Sequence, residues 1–532
     1  MTPLVKIVNE KIKNFTEHPI LFLSFVGIIA ALLRFQHFPY DIAITLDGLE
    51  YLAYAFVTSK EGHFPQGWQF STNGWPSVLS VFFSLFPDRE FMDYVNVQRC
   101  LTLIISISTI FPMYLLGTRF FSKQLSLLCA IILVLHPMII KNSISGLPEP
   151  LFILLGILTL YFFLSSNSKS IYASFATASF MAIIRYEGLL ALIPLSGIFF
   201  MRFKINRNSI TKYFLCLSII LLILLPTAFF RIEATGRDGM LSHVLGGPNF
   251  ISKHLIQGEP EIERNHIVMH KVDKFLFDGV LNTIKYLGYA LIPNFICLII
   301  ISFIIITKKR KQWSLNYKII TILAFTITFL IPAFYAYARG FDDPKYLFII
   351  FPIFSLLSVY SMKKISIRFS RPQIVLILFL FVNIVASGIY LEFDSIDNSH
   401  EKEAFLIAKQ IVEIANGVNG YPPETRYIKS AELLQTWPNM PTTDAYGHLV
   451  FRIVRVPVEG FNSLEEFIHS SEDLGLTHLV LDGKPTREKF LNDVYHNEKQ
   501  YPYLLKVYDS HDQGFSYRVK IFKINYDNFV QK

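Results

Sequence analysis

Apolar runs of about 17 to 22 residues recur from Ile20 to Leu391, separated by short segments in which Lys, Arg, Gly and Pro collect. Wound as a helix, such a run crosses roughly 30 Å of hydrocarbon, so the pattern predicts membrane spans. They are placed at 20–34, 99–117, 125–141, 150–165, 171–184, 187–201, 213–230, 285–307, 317–337, 345–361 and 373–391, about eleven in all. Two long polar loops interrupt them, 35–98 and 231–284. In the first loop Pro76 to Phe86 is apolar but too short to span, and reads as a helix lying in the membrane interface. Beyond residue 391 the pattern changes. Glu401 to Ala415 is amphipathic at helical spacing, and 477–482 and 517–524 read as strands. The expected fold is mainly α: a polytopic helical bundle over 1–391, then a small mixed α/β domain over 392–532.

Composition supports the membrane reading. Of 532 residues, 52% are hydrophobic and only 17% charged, with a mean hydropathy of +0.41, too little charge to wet the surface of a soluble chain this long. The net charge of +8 raises the question of nucleic acid, and the distribution of cations answers it. With the N-terminus cytoplasmic, the inside segments 1–19, 118–124, 166–170, 202–212, 308–318 and 362–372 hold 19 Lys or Arg against two acids, Glu10 and Glu17. They carry +17 of a chain total of +8, which leaves −9 for the remainder. This is a positive-inside signature, and no nucleic-acid partner is expected. The odd span count puts the C-terminus, both long loops and nearly all acids outside. Lys6, Lys11 and Lys13 precede an apolar run that continues to Leu33 without a small-residue cleavage site, so it reads as an uncleaved first span. Cys100, Cys129, Cys216 and Cys297 lie in or beside apolar runs, which points to neither a disulfide framework nor a Cys-based zinc site.

Ionisable groups near the outer ends of spans are costly, and they are the candidates for chemistry. A helix starting near Leu46 places Glu50 and Tyr51 on the face of Asp47. Glu149 opens a span between Pro148 and Pro150, where the helix dipole favours its anion. Arg185 and Glu187 are wedged between two spans. Arg339 to Tyr346 presents cations and acids, Lys345 among them, on a tight turn suited to an anionic ligand. The plainer alternatives are helix caps for the acids and a structural ion pair for Arg185 and Glu187.

From Asp47 to about Phe152, and again at 185–188 and 339–353, the chain resembles the GT-C superfamily of polyprenyl-phosphate-dependent glycosyltransferases. The branch is that of the protein O-mannosyltransferases and aminoarabinose transferases, similar to glycosyltransferase family 39. The matching features are Asp47 and Tyr51 in the first external loop, the helix opened by Gly74-Trp-Pro76, and Arg99 opening the second span. Tyr114 to Ser122, Leu135-His-Pro137, Ser145, Glu149, Arg185 to Leu189 and Lys345 to Pro352 follow in order. Gly48 stands where the O-mannosyltransferases carry a second acid, leaving Glu50 as its substitute. Lys345 stands where arginine is commoner, and no Trp-Trp-Asp tripeptide marks the tail.

The resemblance implies a membrane glycosyltransferase moving a hexosyl or pentosyl group, with inversion, from a polyprenyl-phosphate sugar to a protein, lipid or glycan acceptor. Its active site would lie on the extracytoplasmic side, most simply of a plasma membrane, in contact with membrane lipids. Asp47 would be the base, with Glu50 and Glu149 positioning the acceptor. Tyr51, Arg99, Arg185, Glu187, Arg339, Lys345 and Tyr346 would bind substrate, the cations holding the lipid phosphate. The resemblance makes no cofactor certain: Asp47 and Glu149 could ligate Mg²⁺ or Mn²⁺ through oxygen, whereas much of the O-mannosyltransferase branch does without a metal. His266 and His270 have an i, i+4 spacing that could hold zinc, but lack the Glu that a metalloprotease helix needs beside the first His. Loop 231–284, with Gly246-Gly-Pro248 and four histidines, reads as a mobile lid. The competing readings are a multi-span transporter, a lipid-linked glycan ligase or polymerase, and an inactive scaffold.

Overall fold

The computed structural model describes residues 18–68, 70, 72–263, 266–268, 271–308, 316–393, 398–420, 425–444 and 449–530. Their fold is mainly helical, and they divide into two compact units. One comprises the described parts of 1–38, 70–79 and 98–395, the other 39–69, 80–97 and the described parts of 396–532.

Each of the eleven predicted spans falls on a helix, but length separates them. Among the described residues seven helical stretches are long and apolar enough to cross a membrane, or nine if the bent pairs Lys123–Val134 with Pro137–Ser143 and Val272–Leu291 with Ile296–Lys308 each count as one. The other two, Glu149–Phe163 and Ser170–Ile184, have 15 residues each. At 1.5 Å per residue they reach about 22 Å, short of the hydrocarbon thickness.

Local sequence explains the boundaries of the helices. Arg207–Thr235 starts where the Asn206 side chain accepts from the Ser209 amide at 2.9 Å, and stops at Gly236, whose φ of 74° a residue with a Cβ rarely adopts. Lys123–Val134 is apolar on every side, and all ten residues from Leu125 to Val134 are buried, as expected of a central helix in the first unit. Gly117 lets that helix come close, since a Cβ there would lie 3.1 Å from the Ser126 backbone.

Loop 231–284 has secondary structure of its own. Its described residues form the helix Leu241–Phe250, a π turn Ile251–Ile256, and an antiparallel pair of strands, β1 (Glu261–Glu263) and β2 (His266–Val268), before the helix Val272–Leu291. Pro248 sits inside the first helix, and the π turn follows at once, where the ladder must readjust to the missing amide donor. His270 lies outside the described residues, as does the side chain of His266.

The second unit contains a five-stranded sheet near the C-terminus. Its strands are β3 (Gly417–Asn419), β4 (Val454–Val456), β5 (His478–Leu481), β6 (Leu504–Asp509) and β7 (Lys520–Ile524), in the order β4-β3-β5-β7-β6. β3 pairs parallel with β4 and β5, whereas β7 is antiparallel to β5 and β6. Asn419 fastens β3 to β5, accepting from the Val480 amide at 2.7 Å and donating to the Val480 carbonyl at 3.1 Å. Phe467, Ile468, Leu479, Leu481 and Phe522 fill its core. Packed in the same unit, the first loop carries the helix Leu46–Glu61.

Candidate active site

In the first unit, the sequence candidates converge on one guanidinium. Helix Ser170–Ile184 ends at Arg185, whose extended backbone (φ −144°) leads into the 3₁₀ turn Tyr186–Ala191. Gly188 permits that turn to fold back, because a Cβ there would lie 2.5 Å from the Met181 backbone. Arg185 donates from Nη2 to Glu187 Oε1 at 2.7 Å and from Nε to Glu187 Oε2 at 3.3 Å, a bidentate pair. It also donates from Nη1 to Oε1 of Glu149, the first residue of its helix. The side chains of Glu149 and Glu187 are only 4% and 8% exposed, so these carboxylates depend on Arg185 for compensation. The other Glu149 oxygen, Oε2, is buried and accepts no hydrogen bond among the described residues. Glu149 lines a cavity of about 20 Å³, room for one water-sized group, together with Phe152, Arg185, Glu187, Lys345 and Tyr346. The Arg185 guanidinium lies 5.8 Å from the Phe152 ring centre and 5.9 Å from that of Tyr346.

The other predicted cations are also committed. Arg339 pairs with Glu261 at 2.7 Å and lies 4.5 Å from the ring centre of Phe250, tying the turn after helix Tyr317–Ala338 to loop 231–284. Lys345 lies 3.3 Å from Asp343, and its amide donates to the same carboxylate at 2.8 Å, which caps the turn Pro344–Ile350. Arg99 is buried at 5% exposure. Next to it in sequence, Gln98 donates to the Gly146 carbonyl at 2.8 Å, and Trp75 donates to the same oxygen at 3.0 Å. The turn 142–149 is thus fixed just ahead of Glu149.

Three features of this unit went unmarked in the sequence. Arg34 is fully buried and donates to Ser143 Oγ at 2.9 Å, Ser106 Oγ at 3.1 Å and the carbonyls of Ala30 and Val134, each at 3.0 Å. Its only sequence signal is a cation at the end of an apolar run. His243, on helix Leu241–Phe250, lies 5.3 Å ring to ring from Tyr186, beside the charged turn. Burial, together with Arg231 and Arg237, lowers its pKa, so the imidazole is held neutral. Asp238 caps that helix. Burial works against its anion, but the Ser242 side chain and the amides of Ser242, Leu241 and Met240 outweigh it and lower the pKa.

Asp47, Glu50 and Tyr51 belong to the second unit. Asp47 is the second residue of Leu46–Glu61, with Thr45 rather than Asp47 in the capping position. It is exposed, Glu50 is half-buried and Tyr51 is buried, so the predicted helical face runs from solvent to core. Leu46 has a φ of 49°. A bulky residue in the left-handed region costs on the order of 1–2 kcal/mol, and such strain gathers at functional turns. Among the described residues no group of three or more His, Cys, Asp or Glu side chains is arranged to hold a metal, and Glu149 is engaged by Arg185.

Neither a family model nor a curated protein matches the sequence. Solved structures match the fold. ArnT from Cupriavidus metallidurans, bound to undecaprenyl phosphate, aligns with a TM-score of 0.52 at 12% identity over 95% of this chain and 97% of that one. The Archaeoglobus fulgidus oligosaccharyltransferase in its apo form aligns with a TM-score of 0.52 at 14% identity, covering 91% of this chain and 73% of its own. The same archaeal enzyme, in complex with an inhibitory peptide and a dolichol-phosphate, gives 0.50 at 12% over 92% and 73%. At such identities the likeness concerns the fold, and the chain has the fold of the GT-C glycosyltransferases, as its motifs implied.

Proposed function

We propose that the chain is a membrane glycosyltransferase that moves a sugar from a polyprenyl-phosphate donor to a hydroxyl of a protein, lipid or glycan acceptor, on the extracytoplasmic side and with inversion. The observation that carries this reading is the fold match along nearly the whole length of both this chain and an aminoarabinose transferase bound to undecaprenyl phosphate. In the proposed step Asp47 takes the proton of the acceptor hydroxyl while that oxygen attacks the anomeric carbon in line. The bond from that carbon to the phosphate oxygen breaks, and the phosphate stays on the lipid. The leaving group is already good, so the protein has only to activate the acceptor and balance charge on the phosphate.

The cations differ in their availability for that second task. Arg185 is held by two buried carboxylates, and Arg339 pins a loop. Lys345 lies 3.3 Å from an Asp343 side chain that is 44% exposed, and it lines the same small cavity as Glu149. In the proposed step Lys345, beside the more exposed of these acids, is assigned to the donor phosphate, and Arg185 to holding Glu149, which positions the acceptor.

A transfer assay tests the proposal. Membranes containing wild type or Asp47→Asn, matched for expression, are supplied with radiolabelled polyprenyl-phosphate sugars. Label passing to an acceptor with wild type, and roughly 10²- to 10⁴-fold more slowly with the variant, is the expected result. Equal transfer by both would remove Asp47 from the chemistry.

A further inference from the structure

We infer that the C-terminal domain clamps the turn that presents Asp47, with Ser430 as the positioning residue of that clamp. The inference deepens the proposed function and rests on Asp47 being the base. All the contacts involved lie within the second unit. Ser430, on the helix Thr425–Thr436, is fully buried, and its hydroxyl donates to the Ile44 carbonyl at 2.5 Å. Ile44 is three residues ahead of Asp47, and the intervening Leu46 is the residue with positive φ. A strained conformation persists only where its surroundings over-determine it, and this hydrogen bond fixes the backbone on the entry side of the strain. On the exit side the amides of Gly48 and Leu49 donate to the Thr45 carbonyl at 3.1 and 3.4 Å.

Two further anchors from the same domain hold the segment at its ends. Lys402 pairs with Asp41 at 3.0 Å, ahead of the turn. Behind it, the ring of Trp437 lies 4.1 Å from that of Phe56 on the Asp47 helix, 5.5 Å from Phe91 and 5.4 Å from Tyr94. The Trp437 indole also donates to the Arg89 carbonyl at 3.0 Å. Among these anchors the exposed Lys402 pair is weak, and the aromatic cluster fixes the helix without fixing its first turn. Of these three anchors, Ser430 is the one that acts on the backbone just ahead of Asp47. A misplacement of about 1 Å is enough to cost a reacting group roughly 10²-fold.

The test compares Ser430→Thr with Ser430→Val in full-length protein. Both add similar bulk to a buried site, and only threonine keeps the hydroxyl. Ser430→Val should lower kcat about 10-fold or more relative to Ser430→Thr, with the donor KM within about twofold. Hydrogen exchange at the amides of Gly48 and Leu49 should be faster in the valine variant, while amides in the core of the five-stranded sheet keep their rates. Equal exchange at 48 and 49 in the two variants would overturn the clamp, as would equal kcat where Asp47→Asn abolishes transfer. If Asp47→Asn is fully active, the base assignment fails, and the clamp is then judged by the exchange rates alone.

Discussion

Glu149 and Asp47 both stand in the first turn of a helix, and the two turns are built in opposite ways. Glu149 is buried between prolines, one oxygen is taken by Arg185, and Gly146 just before it is fixed by Trp75 and Gln98. Asp47 is exposed and follows a leucine at a φ of 49°, with the entering backbone held by a side chain from the tail. Neutralised, buried carboxylates make frameworks, because removing a partner is costly and moving the charge is harder still. A carboxylate that must accept a proton and release it needs access to solvent and a precise aim, and its stabilising contacts are better placed on the backbone around it. Under the proposed function the second turn supplies the base, and the first holds a fixed carboxylate beside the acceptor.

The strongest way to break the contrast is at Arg185. Replacing it with Ala strands two buried carboxylates, and a loss of about 3–5 kcal/mol is expected, read as a large drop in the unfolding midpoint in detergent. A variant of wild-type stability would show that Glu149 and Glu187 do not depend on this pair.

Asp482 sharpens the rule outside the bundle. It accepts from Arg487 at 3.0 and 2.7 Å, and its side chain is fully buried. Burial works against its anion, but Arg487 and the Lys484 amide outweigh it, and the pKa falls below its ordinary value of 3.8. A lowered folded-state pKa adds stability that is fully present above the unfolded value and is lost as pH falls through the folded one. Wild type should therefore lose stability below about pH 4, and Asp482→Asn should be about 1–3 kcal/mol less stable at pH 7 with a flatter acid limb. Parallel acid limbs would contradict this.

The smallest effect is at Leu46. Glycine there relieves the backbone but makes the unfolded chain freer, so Leu46→Gly should keep stability within about 1 kcal/mol of wild type. Leu46→Val should lose about 1–2 kcal/mol by thermal unfolding. Equal stability for both would mean that the turn carries no strain.

Much of this architecture was legible in the sequence. The apolar runs located every predicted span on a helix, Gly74–Leu85 formed where a short helix was expected, and a small sheet formed near the C-terminus. Length was harder to read, since a 15-residue helix carries the same composition as a longer span. The helical content of 231–284 was not legible either, because Gly246-Gly-Pro248 reads as a loop signal and falls at the end of a helix that runs into a π turn. Partner choice was least legible. The Arg185–Glu187 pair was offered by the sequence, but the further partner of Arg185 and the partner of Arg339 come from 36 and 78 residues away. Arg34 looks like a simple anchor until Ser106 and Ser143 arrive from 72 and 109 residues along the chain. Ser430 is 386 residues from the carbonyl it holds, and no local pattern announces it.

The central claim is tested most directly by measuring the transfer rate and the unfolding midpoint of Asp47→Asn and Glu149→Gln side by side, using the donor that wild type accepts. The account predicts that Asp47→Asn keeps the wild-type midpoint and loses roughly 10²- to 10⁴-fold in rate, whereas Glu149→Gln lowers the midpoint. An Asp47→Asn protein that transfers sugar at the wild-type rate would contradict it.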